Sequence, residues 1–278
     1  MHVNHAIERC RRDLRFSFVV RSLLAACALV LIILGPGLGL TSSSIVVGVG
    51  AVWVVWTVLN YRGIRATRLA SVSPMLIASG EFDQAEQHID QAIQTFSALR
   101  HVKLLALHYL AALRHAQRRW AEAALAAQAV LGLKLGRGTP IARRTWLILA
   151  DASIEMGDLA AAQHAIQALY GQRLSLPEAM NLCLVQLEYQ ARLGQWSAMM
   201  QGIESKVQLA EIMAPAAGVK TEALLALAAA HSSQPRWQQW LTQRVELLAD
   251  VTELVAQAPL LAELWPSCPP GDRADNRS

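Results

Sequence analysis

Polarity along the chain changes abruptly twice. Between Ser22 and Tyr61 there is no Asp, Glu, Lys or Arg, and every charged side chain lies before or after that stretch. Within it, Ser22–Leu40 (SLLAACALVLIILGPGLGL) and Ile45–Tyr61 (IVVGVGAVWVVWTVLNY) are apolar runs of about 19 and about 17 residues. As helices rising about 1.5 Å per residue, each just crosses a hydrocarbon core of roughly 30 Å. Gly35-Pro36-Gly37, late in the first run, and the polar Thr41-Ser42-Ser43-Ser44 after it break the helical pattern. The pattern predicts a transmembrane helical hairpin over residues 22–61. After Arg68 the apolar positions recur at helical spacing, without alternating β-branched runs and with little Gly or Pro inside segments, so strands are not expected. The fold class is all-α.

Basic residues orient the hairpin. Arg9, Arg11, Arg12, Arg15 and Arg21 precede the first run, Arg62, Arg65 and Arg68 follow the second, and the connection between the runs is uncharged. Lys and Arg near membrane segments favour the cytoplasmic side. Both termini are therefore expected in the cytoplasm, with residues 1–21 as a basic N-terminal segment. A cleaved signal peptide is the competing reading. Against it stand the length of the first run, the lack of a small-x-small site at a suitable distance, and the second run that follows at once. Trp53 and Trp56 lie one turn apart inside the second run. They suit helix packing or lipid-facing bulk, and alternatively contact with a pigment, quinone or haem. Gly48, Gly50 and Ala51 would allow the first helix to approach closely.

The helical remainder contains a recurring pattern. GEFDQAEQHIDQAI begins at Gly80 and supplies Phe82, Ala85, Ile89 and Ala92; GDLAAAQHAIQAL begins at Gly157 and supplies Leu159, Ala162 and Ile166, with Trp146 upstream. RRWAEAALAAQAV around Trp120 gives Ala123 and Ala127 with Arg118 in place of Gly, GQWSAMMQGI from Gly194 gives Trp196, Met199 and Ile203, and a fifth, weaker copy surrounds Trp237. The copies are about 37 to 41 residues apart and cover about 200 residues. They resemble the tetratricopeptide repeat, whose unit pairs two helices around a Gly-ended turn, with small residues where the pair packs closely. The resemblance implies an α-solenoid over residues 62–265, with lengthened connections at Gly132–Pro140 and Met213–Gly218. Residues 237–265 read as one long amphipathic capping segment, and residues 266–278 as a disordered tail.

In that family ligands lie along the concave surface formed by the first helices of each pair. Carried onto this chain, the resemblance places His108, His115, Arg144, Asp151, Glu155, Asn181, Glu188 and Arg192 on that surface, with mixed charge. The family's carboxylate clamp is not reproduced, because His108 and Ala112 occupy its first pair of positions. The layout of two spans followed by helical repeats is also similar to the HemY-type proteins associated with haem biosynthesis.

Charge and cysteine content narrow the function classes. The chain of 278 residues has a net charge of +4. About +3 belongs to residues 1–21, and the part from Arg62 onward holds about 20 basic and 19 acidic side chains, so nucleic acid is not expected as a partner. Cys10, Cys27, Cys183 and Cys268 are widely spaced and show no C-x-x-C pattern, so neither a zinc site nor a disulfide framework is expected. Arg outnumbers Lys by 21 to 4, and with abundant Ala and Leu this points to a GC-rich bacterial genome. Phosphate-loop, dinucleotide-binding, zinc-protease and nucleophile-elbow motifs are missing. His101, His108 and His115 fall at i, i+7 and i+14 along one helix face. Neighbours in that series are about 10 Å apart along the axis, too far to share one metal, and the face reads as a polar groove surface.

The sequence thus predicts a protein-binding scaffold of the bacterial inner membrane. It would be multi-pass, without catalytic residues, metal or cofactor, with the helical repeats facing the cytoplasm and with protein or peptide segments and the lipid bilayer as partners. The alternatives are a HemY-type factor and a membrane-complex subunit acting through its hairpin.

Overall fold

A computed structural model of the chain describes residues 2–33, 42–97, 99–133 and 139–266. All regular elements among them are helical. The chain divides into two compact units, Met1–Ala152 and Ser153–Ser278.

The first unit opens with two long helices, α1 (Val3–Ile33) and α2 (Ser42–Ala78). The segment between them, including Gly35-Pro36-Gly37 and Thr41, lies outside the described residues. Both helices are long and apolar enough to cross a membrane, and only 6% of the most apolar window of each is buried. A core helix of similar composition would hide that surface. Here Leu23, Leu29, Ile32, Val46, Val47 and Val54 are exposed.

At about 46 and 55 Å, each helix exceeds the thickness of a bilayer core. One end of each helix is packed against the rest of the unit. Val3, Ala6, Ile7, Cys10 and Ser17 are the buried positions of α1, at i, i+3, i+4, i+7 and i+14. Gly63, Ala66, Ala70 and Ser73 are buried on α2. A Cβ on Gly63 would stand 2.8 Å from Ser97 Oγ, so glycine there admits the connection after the next helix. Residues 1–21, expected as a basic segment, therefore include a helical face that belongs to the unit's core. Gly48 also behaves as expected, since a Cβ there would meet Leu31 of α1 at 3.0 Å, whereas Gly50 faces open space.

The unit continues with α3 (Phe82–Gln94), α4 (Arg100–Ala116), α5 (Trp120–Gly132) and α6 (Pro140–Met156), whose residues from Ser153 on belong to the second unit. Most of the expected lengthened connection Gly132–Pro140 lies outside the described residues. The second unit carries α7 (Leu159–Tyr170), α8 (Leu176–Arg192), α9 (Trp196–Met200), α10 (Ile203–Glu211), α11 (Pro215–His231), α12 (Pro235–Leu248), α13 (Val251–Gln257) and a 3-10 turn at Pro259–Glu263.

One turn recurs five times. Gly80, Arg118, Gly157, Gly194 and Ser233 all adopt positive φ, between 55 and 80°, at intervals of 37 to 39 residues. Each donates its N–H three residues back. The next residue donates five residues back, as in Glu81 to Leu76, Arg119 to Arg114, Asp158 to Ser153, Gln195 to Gln190 and Gln234 to Ala229. This is the Schellman ending, which satisfies the last carbonyls of one helix and releases the chain into the next. Five residues beyond the turn, Ala85, Ala123, Ala162 and Met199 are fully buried. Met199 is the large residue of that set, and its helix is the one that breaks. Gly202 (φ 64°) separates α9 from α10, and Lys206 Nζ donates to the freed Met199 carbonyl at 2.7 Å.

Two expectations are corrected in the second unit. Met213–Gly218 is not a long connection, because Pro215 opens α11. Proline suits the first helical turn, where no intrahelical N–H bond is needed. Gly218 lies within that helix, and a Cβ on it would stand 2.5 Å from the Ala210 carbonyl oxygen. Residues 237–265 are not one amphipathic helix either. Ala249 is extended, Asp250 caps α13 through Thr252 N–H at 2.8 Å, and Pro259 starts the 3-10 turn. Leu241 and Val245 enter the core as expected, whereas Trp240 and Leu248 remain exposed. Residues 267–278, expected as a tail, are outside the described residues.

Candidate functional site

The residues projected onto a groove fall on successive first helices. In the first unit His108 and His115 come from α4, and Arg144 and Asp151 from α6. His108 is buried, with Nδ1 2.9 Å from Thr145 Oγ1. Thr145 gives its hydroxyl proton to the Ile141 carbonyl at 2.6 Å. His108 Nδ1–H is therefore the donor to Thr145, which fixes the neutral tautomer. Burial, with a smaller contribution from the Arg144 charge, pushes the His108 pKa down to about 4. His108 thus acts between α4 and α6 and is not an open ligand-binding group.

His115 is more accessible. Its Nε2 lies 2.6 Å from Asp151 Oδ2, and its ring meets Trp120 edge-on at 5.1 Å. Arg144 is exposed on α6, and His101 at the start of α4 is exposed as well. The three histidines of α4 therefore occupy three different environments.

In the second unit Arg192 Nη2 of α8 lies 3.5 Å from Glu155 Oε1. Asn181 is exposed, and Glu188, only 7% exposed, pairs with Lys220 of α11. Of the eight projected residues, Arg144, Asn181 and Arg192 are the most open. His115 and Asp151 pair between α4 and α6, Glu155 meets Arg192, and His108 and Glu188 are packing contacts.

Sequence reasoning missed the buried charges that lock neighbouring helices. Lys103, fully buried in α4, pairs with Asp13 of α1 at 2.8 Å and donates to the Thr95 carbonyl at 2.8 Å. Arg114, also fully buried, reaches Glu86 and Glu122. In the second unit Arg244 binds Glu222 and Glu211 and lies 4.7 Å over the Trp240 ring. The hydrogen bonds to Glu222, chiefly, raise the Arg244 pKa. No periodicity separates such charges from solvated ones; only the surrounding helices do. Trp196 stacks on His231 at 4.3 Å, and His231 reaches Glu263 at 2.8 Å, tying α9, α11 and the final turn together.

Among the described residues no group of three or more His, Cys, Asp or Glu is placed to hold a metal. Trp53 is 66% exposed on the outer surface of α2. Comparison of the chain with protein-family models, curated proteins and solved structures gives no match.

Proposed function

We propose that this chain is a membrane-anchored scaffold of the bacterial inner membrane. Its hairpin spans the bilayer, and its tetratricopeptide-like helical pairs face the cytoplasm and bind protein or peptide segments. The observation that carries this reading is the continuity of α2. Its first half presents exposed apolar side chains, and its second half packs on α3 and α4 as the first helix of the first helix–turn–helix unit. A helical domain mounted on its membrane helix without a linker is held close to the bilayer, where it can gather partners. Binding is assigned to the open polar positions of the first helices, with Arg144 and Arg192 as anchors. A guanidinium offers a planar fork of donors to carboxylates and backbone carbonyls.

The test is crosslinking in native membranes followed by mass spectrometry, with Arg144→Ala/Arg192→Ala beside the parent. Each hydrogen bond to a charged group is worth roughly 1.5 to 3 kcal/mol when desolvated, and less for Arg192, which already meets Glu155. Recovery of partners by the double variant should fall about tenfold or more, with helicity unchanged. Undiminished recovery of every partner removes the groove assignment. A working hairpin is the second reading, favoured by the exposed Trp53. It predicts loss of partners in Trp53→Leu instead.

A further inference from the structure

Just past the charge-free stretch of α2, the first unit has an open depression of about 570 Å³. Arg62, Arg65 and Leu69 of α2 line one side of it, and Gln91 and Gln94 of α3 with Phe96 line the other. Residues 62, 65 and 69 stand at i, i+3 and i+7, so they share one helix face. Both guanidinium groups are exposed, and among the described residues neither is paired with a carboxylate. The Gln94 amide nitrogen is directed to Asp90 at 2.5 Å, and the two arginines are the charged donors lining the depression. Phe96 packs edge-on against Phe16 of α1 at 5.7 Å, and Phe16 is itself exposed, as are Val19 and Leu23 further along α1. On α2 the exposed Val54, Val55, Val58 and Tyr61 lead away from Arg62 toward the apolar end.

We infer that this depression binds the phosphodiester headgroup of an anionic glycerophospholipid. Arg62 and Arg65 take the phosphate oxygens, and the acyl chains run along the exposed apolar flanks of α1 and α2. The inference rests on the membrane reading above. Paired arginines suit phosphate because the planar fork matches its oxygens, and basic pockets at the cytoplasmic end of membrane helices meet anionic lipid at that depth. A free phosphate would use the arginines alone. The exposed Phe16 and Val19 of α1 and Val58 and Tyr61 of α2 add an apolar flank, which fits a ligand that also carries hydrocarbon.

The experiment uses the full chain in detergent, read by native mass spectrometry with dioleoylphosphatidylglycerol and dioleoylphosphatidylcholine in competition. The parent should retain the phosphatidylglycerol roughly tenfold better, and Arg62→Gln/Arg65→Gln should lose most of that preference. Arg11→Gln/Arg12→Gln, which removes equal charge from the nearby exposed part of α1, should keep it. Equal loss in both double variants, or loss in neither, overturns the site. Displacement of the phosphatidylglycerol by millimolar inorganic phosphate overturns the lipid assignment in favour of a free-phosphate site. Flotation with phosphatidylcholine vesicles after reconstitution separates the two readings. A parent chain that fails to float defeats the membrane reading, whereas a floating chain without phosphatidylglycerol preference defeats the headgroup site alone.

Discussion

Arg114, fully buried on α4, grips the Glu86 carboxylate of α3 with both terminal nitrogens, at 2.9 and 2.8 Å. Its Nε lies 3.1 Å from Glu122 of α5, so one cation joins three consecutive helices. The hydrogen bond from Arg114, chiefly, holds the Glu86 pKa down at about 2. A carboxyl whose folded pKa is depressed contributes stability above its ordinary value, and that contribution fades as pH falls toward the folded one.

For this pair, denaturant unfolding of the full chain in detergent should show stability falling between about pH 4.5 and 2. Glu86→Gln should remove part of that slope. Arg114→Leu should cost about 2 to 3 kcal/mol at neutral pH. The cost is held below that of a deeply buried pair because both carboxylates keep some contact with water. An unfolding midpoint unchanged in Arg114→Leu would rule out the three-helix lock.

His108 gives a second window of opposite chemistry. Buried and neutral, with a pKa pushed down to about 4, it resists the proton that the unfolded chain accepts near pH 6.5. The unfolded state binds more protons between these values, so stability present above pH 6.5 is lost as pH falls toward 4. His108→Gln should flatten the unfolding profile in that interval. An identical profile in parent and variant contradicts the buried neutral imidazole.

The recurring turn makes a paired prediction. Arg118 and Ser233 carry a side chain at φ of 58 and 55°, so Arg118→Gly and Ser233→Gly should each stabilise by about 0.5 to 1 kcal/mol. Gly80→Ala and Gly157→Ala should each destabilise by about 1 kcal/mol. A Cβ meets nothing within 4 Å at either glycine, which leaves backbone strain as the cause. Thermal unfolding of the four variants is the check, and effects of the reverse sign would dismiss the shared turn.

These results also show which parts of the fold can be read in advance. Gly80, Gly157 and Gly194 mark their turns because glycine adopts positive φ without a steric penalty, and Ala85, Ala123 and Ala162 reveal the close helix contact by their size. Arg118 is legible only because the residues around it match the repeat, and Ser233 hides the same turn; both accept strain at positive φ. The two apolar runs are legible because charge is missing from them. The amphipathic face from Val3 to Ser17 has helical spacing too, but the five arginines around it draw attention to orientation before packing. Among the groove candidates, burial separates His108 and Glu188 from Arg144 and Asn181. That distinction depends on Thr145 and Lys220, partners 37 and 32 positions away, which no local pattern relates to them.

Inside the hairpin, small size matters at one glycine and not at its neighbour. Gly48→Val should loosen the contact of α1 with α2, since its Cβ position is 3.0 Å from Leu31 Cδ1, whereas Gly50→Val should be tolerated. Disulfide trapping between cysteines placed on the two helices near these positions reads the difference. Equal trapping in both variants would mean that the helices do not meet at Gly48.

In the proposed topology α1 and α2 cross the inner membrane and leave the helical units in the cytoplasm. Its most direct measurement is labelling of intact cells with a membrane-impermeant thiol reagent, with the native cysteines replaced by alanine. Two exposed positions are compared, Ser43→Cys at the start of α2 and Asn181→Cys on α8. Ser43→Cys should be labelled in intact cells, and Asn181→Cys only after lysis. Labelling of Asn181→Cys before lysis, with Ser43→Cys protected, would contradict it.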